Sequence, residues 1–292
     1  MRRTGLSRKY SLWGWVFVGP GALLVFAMSF YPMIQAFALS MQSGTGMNLR
    51  FTGPRNYVRL LQDDMFRAAV INVFTYLVIQ VPIMLFLALV FASILNAKDL
   101  KGKTVFRTML FLPCATALVS SALIFRSFFS VDGLLNNVLL KTNIIGTPVS
   151  WLTDPFWAKF VIILIMTWRW TGYNTIFYLA GLQNIESTVY EAARIDGASP
   201  VRQFFRITLP LLKPIILLTT IMSTNGTLQL FDEVRIISPG AGLKSTISIS
   251  QHIYNLSFYN VPQLGYASAA SYSILFMAAI LALIQMKIGD RI

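Results

Sequence analysis

The sequence predicts an all-α integral membrane protein with six transmembrane helices, and three observations lead to this fold class. Apolar residues make up 55% of the 292 residues and charged residues only 12%, a composition that does not suit a water-exposed surface. The apolar residues come in runs long enough to cross about 30 Å of hydrocarbon. The basic residues, which give a formal net charge of +13, lie mainly between those runs. The solvent that fits this chain is therefore a bilayer.

Six apolar runs, bounded by charges and turn residues, are the predicted spans. The first run is too long for the apolar core of a signal peptide, which has about 7–15 residues, so we interpret it as an uncleaved helix. The six runs cover residues 12–39, 68–95, 105–129, 156–182, 211–231 and 264–286.

Lysine and arginine residues between the spans predict the orientation of the chain. With the N-terminus inside, the inner segments hold fourteen of these residues and the outer segments eight. Because cytoplasmic segments carry the excess of Lys and Arg, we expect both termini in the cytoplasm. The chain then divides into a cytoplasmic N-terminal segment at 1–11, a transmembrane domain at 12–287 and a cytoplasmic tail at 288–292.

The composition also argues against several kinds of site. A single cysteine, Cys114, excludes an internal disulfide, and a single histidine, His252, leaves no cluster with the spacing of a zinc site. No nucleophile, base and orienting group can be assembled for catalysis, so neither a catalytic nor a metal site is predicted. Basic residues placed between apolar runs suit loops and anionic lipid headgroups, so no binding of nucleic acid is expected.

The segment 184–210, between the fourth and fifth predicted spans, has the pattern of two short helices around a break. Gly197 stands where the first helix should end and suits a left-handed residue after that end. Ser199 and Pro200 suit the N-cap and the first turn of the second helix. From periodicity alone, an amphipathic loop on the membrane surface is an equal alternative.

The residues within this segment are more specific than its periodicity. The fixed positions are Glu191-Ala192-Ala193, Gly197, Ile207 and Leu209-Pro210. They resemble, at the same spacing, the EAA loop of permease subunits in bacterial binding-protein-dependent ATP-binding-cassette (ABC) importers. Residues 51–66, Phe231-Asp232 and residues 265–269 are similar to further marks of the carbohydrate-uptake branch. The stretch from 111 to 136 looks more like the maltose-type subunit that pairs with a second, different permease.

This resemblance implies a multi-pass subunit of the bacterial cytoplasmic (inner) membrane that contacts lipid and works with several protein partners. They are a second EAA-type permease subunit, two ABC ATPase subunits and an extracytoplasmic sugar-binding protein. ATP and Mg²⁺ are expected on the partner ATPase subunits, and no cofactor is expected on this chain. The residues expected to contact the ATPase are Glu191, Ala192, Ala193, Asp196, Gly197, Ala198 and Ser199.

Three features depart from the family pattern. Glu186 stands where many relatives have a proline before the EAA helix, and residues 238–242 replace a Gly-Gly-Pro run that often follows Phe-Asp. The first outer segment is also too short for the large periplasmic domain of the maltose-type subunit. We therefore expect smaller loops to contact the binding protein.

Polar groups at membrane depth are the candidates for a substrate path, because they are costly there unless they face a partner or water. Aromatic faces beside hydrogen-bonding groups in the fourth span suit a sugar, with an interfacial aromatic belt and a snorkelling Arg169 as the alternative. In the fifth span, spacing of i, i+4 and i+7 places three polar residues on one helix face, with interhelical hydrogen bonding as the alternative. The predicted path residues are Trp170, Tyr173, Asn174, Asn225, Gln229 and Asp232.

The energy source is expected outside this chain. Residues 97–104 resemble a phosphate-binding loop but lack its first glycine and follow a span rather than a strand. An ion-coupled secondary carrier would need an intramembrane carboxylate, and Asp232 and Glu233 both fall near the outer end of the fifth predicted span. The expected cargo is a mono- or oligosaccharide, with glycerol phosphate or a related polyol as the alternative.

Overall fold

The computed structural model describes residues 5–45, 48–97, 100–237, 243–259 and 261–291. Sequence predictions that fall on residues 1–4, 98–99, 238–242 or 292 lie outside the described residues. Within the described part, the chain is mostly helical, with one short β-hairpin.

The α-helices and strands follow one another along the chain with three short π-helical segments among them, at Phe26–Phe30, Phe204–Thr208 and Asn255–Tyr259. In chain order they are α1 (Gly5–Val25), α2 (Tyr31–Ser40), β1 (Gln42–Thr45), β2 (Asn48–Phe51), α3 (Arg55–Gln62), α4 (Asp64–Asn96), α5 (Lys103–Ala115), α6 (Leu118–Phe128), α7 (Leu134–Lys141), α8 (Pro155–Gln183), α9 (Ser187–Ile195), α10 (Pro200–Gln203), α11 (Leu209–Leu228), α12 (Asp232–Ile237), α13 (Ile249–Tyr254) and α14 (Leu264–Arg291).

Four helical segments of the described chain are long and apolar enough to cross a membrane, namely Trp13–Ser40, Asp64–Asn96, Pro200–Leu228 and Leu264–Gly289. The bent pair α5 and α6 adds a fifth candidate if the pair forms one span. Helix α8 is 29 residues long, but it is not among these candidates. Polar residues such as Arg169 and Asn174 lower its mean hydropathy.

The third predicted run, 105–129, is not one continuous helix. Helix α5 ends at Ala115, α6 begins at Leu118, and the two helices are bent by 92° at the break. Thr116 lies in the break with extended backbone, at ψ 146°. Its Oγ1 donates to the Pro113 carbonyl at 2.7 Å and lies 2.9 Å from Ser121 Oγ. The Thr116 side chain thus provides hydrogen bonds at the break, where backbone hydrogen bonding along the helix is interrupted.

The described chain forms two compact units, of which the first comprises residues up to Gln62 together with Leu256–Tyr272. In this unit β1 and β2 pair as an antiparallel hairpin, a small departure from the all-α prediction. Asn56 holds the hairpin because its Nδ2 donates to the carbonyls of Ser40 and Gln42 at 2.8 and 2.7 Å.

In this first unit, Arg59 contacts Tyr266, and these residues belong to two of the segments in which the sequence resembles the carbohydrate-uptake branch. The Arg59 guanidinium lies 4.1 Å from the centroid of the Tyr266 ring, and its Nη1 donates to Gln263 Oε1 at 2.9 Å. Arg59 of the first segment is therefore packed against Tyr266 of the second, which sequence spacing alone does not reveal.

The second unit, Asp63–Asn255 with Ser273–Ile292, is built on α4 packed along α8. Asp63 caps α4, since its Oδ1 accepts from the amides of Met65 and Phe66 at 2.8 and 3.1 Å. One face of α4 is buried inside the unit. The opposite face exposes large apolar side chains at Ile71, Val78 and Phe86, as a lipid-facing surface would.

Gly172 allows α8 to approach α5 closely. A Cβ atom at this position would collide with the carbonyl oxygen of Leu110 in α5. Only glycine therefore fits without a shift of one helix relative to the other. This close contact lies beside Trp170 and Tyr173, two of the predicted path residues, and so helps to fix their position on α8.

Candidate functional site

The segment 184–210 forms the predicted helix–turn–helix, with α9 followed by the short α10. Gly197 has φ +74°, which is the left-handed conformation expected of it. The amide of Ala198 donates to the Ala193 carbonyl at 2.9 Å, and that of Gly197 donates to the Arg194 carbonyl at 3.1 Å. This pair of bonds is a Schellman motif, and it satisfies carbonyls that the end of α9 would otherwise leave free.

The second half of the segment 184–210, from Ser199 onward, is held in place by side-chain hydrogen bonds. Ser199 is the N-cap of α10 and accepts from the Arg202 amide at 3.3 Å. Gln203 Nε2 donates to the Ala198 carbonyl at 2.8 Å. The hydroxyls of Tyr190 and Thr208 lie 2.9 Å apart, which ties α9 to the segment that leads into α11. The segment therefore has a defined shape within this chain.

Most predicted ATPase-contact residues are at the surface. Ala198 is half-buried and Ala193 is buried, while the remainder are exposed, namely Glu191, Ala192, Asp196, Gly197 and Ser199.

The sequence analysis missed exposed apolar side chains on the same segment. Ile195 is 86% exposed, Val201 is 67% exposed and Phe205 is 60% exposed. Such side chains mark a surface suited to a partner.

A cavity of about 410 Å³ lies in the second unit, within the ~300–1,000 Å³ typical of small-molecule sites. Aromatic rings and side-chain amides supply part of its wall. The structure brings five of the six predicted path residues to this wall, namely Trp170, Tyr173, Asn174, Gln229 and Asp232.

Asn225 is placed differently from the other predicted path residues. It lines a second hollow of about 330 Å³, together with Thr224 and Gln285. Its Oδ1 accepts from Gln229 Nε2 at 2.8 Å, so the expected i, i+4 neighbours do meet. The expected continuation of this helix face to Asp232 is wrong, because α11 ends at Leu228 and Asp232 begins the separate helix α12.

Gln80 of α4 is a cavity residue that the sequence analysis missed. It is 1% exposed, and its Nε2 donates only to the weak acceptor Met84 Sδ, at 3.2 Å. Among the described residues, its buried Oε1 has no hydrogen-bond partner. Asn174 Nδ2 lies 3.6 Å from the same sulfur and donates to the Trp170 carbonyl at 3.0 Å. Two amides thus line the cavity around one methionine.

Glu233 of α12 lies beyond the end of α11 and is buried at the cavity wall. Burial raises the pKa of this carboxyl above its ordinary value, and the neighbouring Asp232 charge adds to the shift. A hydrogen bond from its own backbone amide opposes this rise in pKa most, followed by the Arg169 charge and the Trp170 indole. Arg169 is only 9% exposed, so its side chain packs within the second unit. Within the described residues, no three His, Cys, Asp or Glu side chains are grouped as a metal site requires.

Long apolar helices, an exposed helix–turn–helix and a cavity with aromatic and amide walls together define a membrane transport subunit. Residues 70–290 match the family of the binding-protein-dependent transport system inner membrane component. The chain belongs to this family.

Two curated relatives and one solved structure are similar to this chain over nearly its whole length. The chain is 50% identical to the lactose transport system permease protein LacF of Rhizobium radiobacter, over 97% of this chain and 96% of that protein. It is 32% identical to the trehalose/maltose transport system permease protein MalF of Thermococcus litoralis, over 94% and 93% of the two chains. A bacterial ABC transporter that imports the acidic polysaccharide alginate shares the fold, with a TM-score of 0.85, 24% identity and coverage of 98% and 97%.

Proposed function

We propose that this chain is the membrane-spanning subunit of an ABC importer and forms the path for a mono- or oligosaccharide delivered by an extracytoplasmic binding protein. The observation that carries the proposal is the cavity in which Trp170, Tyr173, Asn174 and Gln229 meet. Aromatic faces cover the apolar side of a sugar ring, and amides pair with its hydroxyls. Relatives that are named as permeases for lactose and for trehalose or maltose support the same class of cargo.

The proposed topology has six spans, with the bent α5 and α6 pair as the third and α8 as the fourth. Helix α8 can cross the bilayer despite its polar residues because they face the cavity and neighbouring helices rather than lipid. Both termini lie in the cytoplasm. The permease domain is 12–287, with the coupling segment at 184–210, and residues 1–11 and 288–292 are cytoplasmic.

The proposed energy source is a pair of partner ATPase subunits that bind ATP and Mg²⁺. Their surface would receive Glu191, Ala192, Ala193, Asp196, Gly197, Ala198 and Ser199, and the exposed Ile195 adds an apolar contact. A second EAA-type permease subunit would complete the path. ATP binding would close the ATPase pair and move both coupling segments as rigid bodies.

Reconstitution tests this function directly. The chain, a partner permease, the ATPase pair and the cognate binding protein are assembled in proteoliposomes, and uptake of labelled lactose and maltose is measured. We expect uptake that requires ATP and the binding protein. A partner ATPase without its phosphate-binding lysine is the matched control and should abolish uptake. Uptake driven by a proton or sodium gradient without any ATPase would contradict the proposal and favour a secondary carrier.

A further inference from the structure

Among the residues that the structure describes, the cavity wall carries negative charge and no positive charge. In the described part of the chain, Asp232 and Glu233 are the only charged side chains among its lining residues. Asp232 is exposed and Glu233 is buried. The two carboxyls follow each other at the start of α12, directly after the end of α11.

Arg169 lies close enough to act on the charge of Glu233, but it is not among the residues that line the cavity. Its Nη1 donates to the Thr116 carbonyl at 3.3 Å, and its charge acts on Glu233. Among the described residues, Asp232 forms no ion pair. Of the two wall carboxyls in the described chain, the one that is both exposed and without an ion pair is therefore that of Asp232.

This charge distribution discriminates between kinds of cargo. An uncharged sugar can donate hydroxyl hydrogen bonds to the carboxylate and to the amides of Gln80 and Asn174. An anion about 8 Å from one carboxylate, at an effective dielectric constant of about 20, is disfavoured roughly thirty-fold. No basic side chain of the described wall compensates for that repulsion.

We infer that the cavity accepts uncharged sugars and rejects anionic ones, and that Asp232 is the residue that sets this charge selectivity. The inference rests on the proposed function, because it assumes that the cavity is part of the path. Sugar phosphates, uronates and glycerol phosphate fall in the rejected class. The alginate importer, whose cargo is acidic, shares the fold with this chain, so the fold itself does not fix the charge of the cargo.

Thiol-reactive probes of opposite charge test the inference without knowledge of the cargo. The assembled importer, with Cys114→Ser and cysteine-free partners, receives one cysteine in the cavity wall, either Ser223→Cys or Gly226→Cys. A side chain at Gly226 meets no atom within 4 Å. Methanethiosulfonates with a sulfonate or a trimethylammonium group are compared, each relative to its rate with a free thiol. We expect the cation to react at least tenfold faster, and Asp232→Asn to raise the rate of the anion about tenfold.

The matched control is Asp132→Asn, which removes an equal charge from an exposed position outside the cavity. It should leave both rates unchanged. Equal rates for the two reagents, or rates that Asp232→Asn does not alter, would overturn the inference and leave the path intact. Cysteines at both positions that react with neither reagent during ATP turnover would overturn the path itself, and with it the inference.

Discussion

At the scale of single residues, backbone conformation and unpaired polar atoms say more than residue type. Gly197 is exposed, and a Cβ atom there would meet no neighbour within 4 Å. Its φ of +74° is nevertheless a conformation that side chains rarely adopt. The backbone conformation of the turn between α9 and α10 therefore favours glycine at this position, whereas packing within this chain does not. A close partner surface would be a second reason for glycine.

We expect Gly197→Val to uncouple ATP hydrolysis from transport while the permease still inserts. A β-branched residue in the left-handed region costs about 1–3 kcal/mol, so the Schellman turn should open. Sugar uptake and ATPase activity of the reconstituted importer are the measurements. Gly197→Asn is the matched control, because asparagine tolerates this region, and it should keep more transport than valine. Equal transport by wild type and the valine variant would contradict the prediction.

Gln80 has a buried amide oxygen without a partner in the described chain, which costs about 1–3 kcal/mol in an empty cavity. We expect Gln80→Leu to raise the thermal stability of the purified importer slightly and to lower sugar uptake about tenfold. A residue with a purely structural role would not move these two quantities in opposite directions.

Thr75→Val is the control for the Gln80 variant. Thr75 is on the same helix, and its hydroxyl donates to the Ile71 carbonyl at 2.7 Å. Because Thr75 does not line the cavity, uptake should remain near the wild-type rate. Unchanged uptake by Gln80→Leu would remove Gln80 from the path.

At the scale of elements, hydropathy predicted where apolar segments lie better than it predicted their continuity. The run 105–129 contains no charged interruption around Thr116, so its pattern does not reveal the break between α5 and α6. The break depends on side-chain bonds of Thr116 to Pro113 and Ser121. The sequence did not predict that Gln80 lines the cavity, because a single amide within an apolar run forms no periodic pattern. Gly197 and Ser199 were predicted because turn chemistry is local.

The packing of α8 on α5 gives an element-scale prediction. Gly172→Val should separate the two helices, because its side chain would collide with the Leu110 carbonyl. Overpacking of this kind costs about 1–3 kcal/mol or more. The midpoint of thermal unfolding of the purified importer should therefore fall by several degrees.

Gly146→Ala is the matched control for Gly172→Val, since a Cβ atom at Gly146 meets nothing within 4 Å. It should unfold at the wild-type temperature. If Gly172→Val unfolded there too, the close contact between α8 and α5 would not be a constraint on the fold.

At the scale of the whole molecule, the proposed topology places residues 130–154 outside and residues 184–210 in the cytoplasm. With Cys114→Ser as background, single cysteines at the exposed positions Lys141 and Arg202 report on these two segments. We expect a membrane-impermeant maleimide to label Lys141→Cys in intact spheroplasts and Arg202→Cys only after the membrane is opened. Labelling of both in intact cells, or the reverse pattern, would contradict an arrangement with both termini inside.

The Schellman turn at Gly197 and the Tyr190–Thr208 contact have a mechanical consequence. A segment that is already closed by backbone bonds at 2.9 and 3.1 Å does not first have to order when force is applied to it. Displacement at α9 passes through the Tyr190 hydroxyl to Thr208, one residue before α11 begins. If partner ATPase subunits move α9 as proposed, the stiffness of this short linkage, rather than its affinity for a partner, would set how much of that movement reaches α11.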